Sequence, residues 1–197
     1  MNPLPFDFPF ALVFWAIMIW AFWPEYHILR RARKSVRDAG SPDAGSYRFI
    51  VVGMQIVFMA AFPLSWIDFG RFPSGWEVGV FCIGLALLIC GSLLRRHCWR
   101  MLGPSFTGDV QAHVAQEIIT SGAYSLLRHP SYLAGIVMYT GIGLALGSWA
   151  SAALLIVGSI ATYAYRMTVE ERALLKVLGE PYREFMRTRK RLIPYIY

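Results

Sequence analysis

Between Tyr132 and Tyr165 the chain runs for 34 residues without one charged side chain. As a single helix rising 1.5 Å per residue, this stretch would measure about 50 Å, well beyond the roughly 30 Å hydrocarbon core of a bilayer. Two helices joined near Gly147-Ser148 resolve the mismatch, each arm then being somewhat short for a crossing. Gly135, Gly141, Gly143, Gly147 and Gly158 would let the arms approach closely. The expectation is a tight, short-armed helical hairpin.

The rest of the chain suits a membrane as well. Of its 197 residues 56% are hydrophobic and only 16% charged, with a mean hydropathy of +0.46. A soluble domain is usually closer to a quarter charged. The net charge of +7 points to membrane lipids with anionic headgroups rather than to nucleic acid. Cys82, Cys90 and Cys98 recur every eight residues within or just after one apolar run, too far apart for mutual disulfides. They form no CxxC pair and no metal set with a nearby histidine, so packing is their expected role.

Three further apolar runs precede the hairpin: Phe8–Trp23, Phe49–Ile67 with Pro63 near its end, and Val78–Leu94. No Lys or Arg precedes the first and no small-residue cleavage site follows it, so it reads as a retained anchor. Lys and Arg number six after the first run, one after the second, four after the third, none in the hairpin turn and eight from Arg166 onward. That alternation predicts an all-α, multi-pass membrane protein of about five spans, N-terminus outside and C-terminus cytoplasmic. Beyond Tyr165 the pattern turns amphipathic, with Val169, Ala173, Leu174, Val177 and Leu178 at helical spacing. Gly179 should stop that helix and Pro181 start another, both lying on the cytoplasmic surface.

The chemistry concentrates around the hairpin. In Gly122-Ala-Tyr-Ser-Leu-Leu-Arg-His-Pro-Ser-Tyr-Leu-Ala-Gly135, Pro130 suits the first turn of a helix, where its missing N–H would have no partner. Arg128 and His129 then stand at the positive helix end, as an anion-binding corner or as an ordinary snorkelling and capping pair. At the far end of the hairpin Arg166 and Glu170 lie four apart. They form either a weak intrahelical pair or the polar end of a site for a ligand with charged and apolar parts.

Taken in order, Gly122-x-Tyr124, Arg128-His-Pro-Ser-Tyr132, Gly135, Arg166-x-x-x-Glu170-Glu171, Leu178-Gly179-Glu-x-Tyr182 and Arg191-Leu-Ile-Pro194 resemble the isoprenylcysteine carboxyl methyltransferase family. That family is itself similar to the phospholipid methyltransferases. The likeness covers roughly Phe106 to Pro194 and divides the chain into an N-terminal three-span region, 1–100, and a catalytic region, 101–197. It implies S-adenosylmethionine (SAM) as cofactor and a lipophilic small-molecule or lipidated methyl acceptor. A carboxylate (O-methylation) is the expected acceptor, with nitrogen or sulfur left open as the attacking atom. It also implies that Gln111, Gln116, Glu117, Ile118, Ile119, Tyr124, His129, Pro130, Ser131, Tyr132 and Glu170 bind the cofactor. Arg166 falls where the family's acceptor-contacting arginine lies. Gln116 departs from the pattern, standing where the family usually has histidine. Glu171, about 100° round the helix from Glu170, is expected to matter much less for the cofactor. Sterol reductases that use NADPH look similar in their C-terminal region, and a non-catalytic membrane scaffold is the other alternative.

Overall fold

The computed structural model describes residues 2–39, 44–103 and 118–193, with side chains described outside 28–50. Among the described residues there are six α-helices: α1 (Phe10–Ala39), α2 (Ala44–Leu64), α3 (Glu77–Leu102), α4 (Pro130–Ala145), α5 (Trp149–Leu178) and α6 (Glu180–Thr188). They form no sheet, only two isolated bridges.

The hairpin turns where the charge-free run predicts, but only α4 is a short arm. Helix α5 continues unbroken through the amphipathic stretch to Leu178, so that stretch is not a separate surface helix. Gly147 carries the turn at φ +70°, where a side chain would be strained, and Ser148 caps α5 by accepting from the Ser151 N–H at 3.1 Å. The glycines serve more partners than the opposite arm. A Cβ on Gly143 would lie 2.3 Å from Ala152 Cα of that arm, but one on Gly141 would lie 2.5 Å from the Gly84 carbonyl of α3. Gly158 faces Val57 of α2. The closest backbone packing therefore joins α4 to α3 as well as to α5, and lets dispersion contacts act between helices that share no hydrophobic drive in lipid.

Expectation and structure part over the number of spans. Among the described residues two helices, α3 and α5, are long and apolar enough to cross a membrane, not five. The reason is length. Pro24, Glu25 and His27 interrupt the apolar face of α1, the described apolar part of α2 is Val51–Leu64, and α4 has 16 residues, about 24 Å of rise. The outer surface is nonetheless apolar. Leu12, Ile19, Ile56 and Val157 are 64–66% exposed, as lipid-facing side chains are, while Phe14, Leu88, Ile142 and Leu155 are fully buried between helices. The chain is an integral, multi-pass membrane protein.

At one end of the bundle the hairpin turn docks on the 68–75 loop. Phe72 N–H donates to the Gly147 carbonyl at 3.1 Å and the Ser148 hydroxyl to that of Gly70 at 2.9 Å. The opposite end gathers the start of α4, the exit of α5, α6 and residues 190–192. Gly179, at φ +63°, ends α5 and α6 begins at once, with Tyr182 and Phe185 buried on its apolar side.

Candidate active site

The start of α4 is held by the chain's last described segment. Arg128 N–H donates to the Lys190 carbonyl at 2.8 Å and His129 N–H to that of Arg191 at 3.1 Å, so residues 127–129 and 190–192 run side by side. Leu192 is buried with Ile136, Tyr163 and Met167 and anchors this pairing in the apolar layer. His129 is the N-cap and Pro130 the first helical residue, where proline costs no hydrogen bond.

Glu171 lies beneath that pairing, six positions past the uncharged part of α5, and is 3% exposed. Its Oε1 stands 3.1 Å from His129 Nε2 and 3.2 Å from Arg128 Nη1, while Arg191 Nε donates to Oε2 at 3.1 Å. Arg191 Nη2 donates to the same oxygen. Burial pushes this carboxyl upward, but the hydrogen bonds with His129 and Arg191 and the nearby Arg128 charge outweigh it, leaving the pKa at about 2. The corner formed by Arg128, His129 and the start of α4 thus receives an anion from the protein itself. Glu171 joins α5, the start of α4 and the tail.

Glu170 points elsewhere. It accepts a 2.7 Å hydrogen bond from the Tyr132 hydroxyl, which also lies within hydrogen-bonding reach of Arg166. Tyr132 stacks between His129 (ring centroids 5.5 Å) and Tyr163 (5.0 Å), so its hydroxyl direction is fixed from both faces. Arg166 is buried and Glu170 half-buried. Tyr124 is buried just before, hydrogen-bonded to Ser131, and burial raises its phenol above the usual range.

The structure therefore brings Tyr124, His129, Pro130, Ser131, Tyr132, Arg166 and Glu170 to one end of the bundle. Ile118 and Ile119 are half-buried in the irregular segment that leads there. Gln111, Gln116 and Glu117 lie outside the described residues. Among the described residues no group of acidic, histidine or cysteine side chains is arranged to hold a metal. Sequence reasoning passed over four contributors: Glu171 and Arg191, although both stand inside quoted motifs, and Glu25 and Arg95, for which the only signal was charge inside or beside an apolar run.

The profile of the family described as phospholipid methyltransferase matches residues 80–181, more than half of the chain. A protein-S-isoprenylcysteine O-methyltransferase of Schizosaccharomyces pombe is 28% identical over 132 residues, 64% of this chain and 56% of that protein. One from Xenopus laevis is 28% identical over 179 residues, 82% of this chain and 58% of its own. The chain thus spans little more than half the length of these relatives. A solved eukaryotic intramembrane Ras methyltransferase, an isoprenylcysteine carboxyl methyltransferase, has the same fold, with a TM-score of 0.61 at 21% identity, over 91% of this chain and 64% of that one. The resemblance carried by the motifs is borne out, and the chain belongs to the phospholipid methyltransferase family.

Proposed function

We propose that this chain is a SAM-dependent membrane methyltransferase acting on a carboxylate of a lipophilic or lipidated acceptor. One observation carries the reading: at the end of an uncharged hairpin, a single phenol, Tyr132, connects the carboxylate of Glu170 with the buried guanidinium of Arg166. Ionisable groups of both signs at the edge of an apolar layer suit a cationic cofactor beside an acceptor with an apolar body and an anionic head.

The residues fit SAM on the carboxylate side. Tyr132 takes one of the roughly four lone-pair positions of the half-buried Glu170 carboxylate, which retains capacity for the cofactor's amino group or ribose hydroxyls. Tyr124, His129, Pro130, Ser131 and Tyr132 would line the same site, with Gln111, Gln116, Glu117, Ile118 and Ile119 on the segment before it. SAM, when bound, supplies a methyl group already activated by its sulfonium. What remains for the protein is alignment and exclusion of water, and holding two reactants in attack geometry contributes about 7–11 kcal/mol. A carboxylate is ionised at neutral pH and needs no general base. Arg166, permanently cationic and forked, orients it through the non-attacking oxygen, since a firm grip on the attacking one would lower its nucleophilicity.

In the membrane we place five passes, N-terminus outside and C-terminus cytoplasmic, with 1–100 as a three-span support and 101–197 as the catalytic region. The short α4 crosses with local thinning of the bilayer. Isothermal titration of the detergent-solubilised protein tests the function: SAM and S-adenosylhomocysteine should bind and NADPH should not. Binding of NADPH alone would make this a reductase, and binding of none would make it a scaffold.

A further inference from the structure

The proposed reaction uses neither Glu25 nor Arg95, yet both are largely buried at the junction of α1, α3 and α4. Glu25 follows Pro24, whose missing N–H deprives the Trp20 carbonyl of its helical donor. Arg96 supplies a replacement, donating to that carbonyl with its guanidinium 4.4 Å from the Trp20 ring centre. Its neighbour Arg95 turns inward. Its Nε lies 2.8 Å from Glu25 Oε1, its Nη1 donates to the Ser131 carbonyl at 2.7 Å, and its guanidinium faces the rings of Trp99 at 5.0 Å and Tyr163 at 5.9 Å. The two side chains are 12% and 16% exposed. A Cβ on Gly135 would fall 2.7 Å from Arg95 Nη1 and 2.5 Å from the Tyr163 hydroxyl, so the glycine leaves the room that both need.

A charge placed among apolar helices is costly and persists where its contacts do something. Those of Arg95 converge on the two supports of Tyr132: the backbone one residue before it and the ring stacked on its face. We propose that Arg95, held by Glu25, is a positioning residue that fixes the first turn of α4 and the Tyr163–Tyr132 stack, and so aims the Tyr132 hydroxyl at Glu170. The first helix thereby acquires a part in the site. The proposal rests on Tyr132 and Glu170 belonging to the SAM site.

A double-mutant cycle on SAM affinity tests it, by titration of the folded, solubilised full chain. Lysine keeps the charge of Arg95 but not the fork that reaches Glu25 and Ser131 together. Arg95→Lys should weaken SAM binding roughly three- to tenfold, and Tyr132→Phe comparably. The double variant should bind no more weakly than the weaker single one, because Arg95 acts through Tyr132. Glu25→Gln leaves the Arg95 side chain itself intact but replaces its ion pair with a weaker neutral contact. It should give a smaller loss, also masked by Tyr132→Phe, and it carries the cycle if Arg95→Lys does not fold. Losses that multiply in the double variant, as independent packing defects do, would overturn the positioning role and leave the methyltransferase reading standing. So would wild-type affinity in Arg95→Lys. Wild-type affinity in both Tyr132→Phe and Glu170→Ala would overturn the reading of the site and the positioning role with it.

Discussion

Replacing Glu171 by glutamine keeps the side chain's shape and removes its charge. The structure sets the size of the effect. Its carboxyl, ordinarily near 4.5, is held at about 2 by His129, Arg191 and Arg128 against the opposing effect of burial. That difference corresponds to about 3 kcal/mol of folding stability. Because the folded value lies below the unfolded one, this contribution is complete above about pH 4.5 and is lost as pH falls toward 2. Reversible unfolding in mixed micelles, followed by tryptophan fluorescence, should therefore show Glu171→Gln less stable than wild type by about 3 kcal/mol at pH 7. The gap should be larger if Arg128 and Arg191, no longer neutralised, repel each other. It should shrink to a small remainder as pH approaches 2, where the wild-type carboxyl is itself half protonated, and close below that. A gap of the same size at pH 7 and pH 2.5 would mean that packing, not charge, holds the tail. One below about 1 kcal/mol at pH 7 would make the cluster equivalent to an exposed ion pair.

Other outcomes follow from the same end of the bundle. Glu170→Ala should weaken SAM binding by about 1.5–3 kcal/mol in titration, the scale of hydrogen bonds to a charged group. Arg166→Lys should slow single-turnover methyl transfer at least tenfold, about 1.4 kcal/mol of barrier, while SAM affinity stays near wild type. Equal loss of SAM affinity in that variant would instead assign Arg166 to the cofactor. For topology, single cysteines in a cysteine-free background should react with an impermeant thiol reagent from outside when placed in 68–75. They should be shielded in 30–37 and in the tail, and strong outside labelling of the tail would overturn the five-pass arrangement.

What was legible in the sequence was what local chemistry determines. The hairpin follows from an absence of charge combined with Gly147 at the turn, and the break before α6 from Gly179 followed by Pro181. The placement of His129-Pro130 at a helix start follows from proline's missing donor. The number of helices that meet the length of a membrane crossing was not legible, because Pro24 and Glu25 shorten the apolar part of α1 without ending the helix. Nor were the ion clusters. His129 and Arg191 stand 42 and 20 positions from Glu171, and Glu25 is 70 from Arg95, so no periodicity links them. Such pairings are set by tertiary packing alone.

The adjacent pair Glu170-Glu171 shows why that packing matters for function. Consecutive helical residues diverge by about 100°, so two identical side chains cannot share one environment. Glu170 turns to Tyr132 at the half-buried edge, and Glu171 turns beneath the tail to Arg128, His129 and Arg191. His129 touches both systems, contacting Glu171 through its ring nitrogen and stacking on Tyr132 through its face. Docking of residues 190–192 therefore fixes the imidazole, the imidazole backs the Tyr132 ring, and the ring aims the hydroxyl at Glu170. On the proposed reading, in which Glu170 holds a cationic cofactor, that carboxylate is oriented from one side by the tail through Glu171 and from the other by α1 and α3 through Arg95. Neither support needs to touch the cofactor, and loss of either should be felt at Tyr132 first.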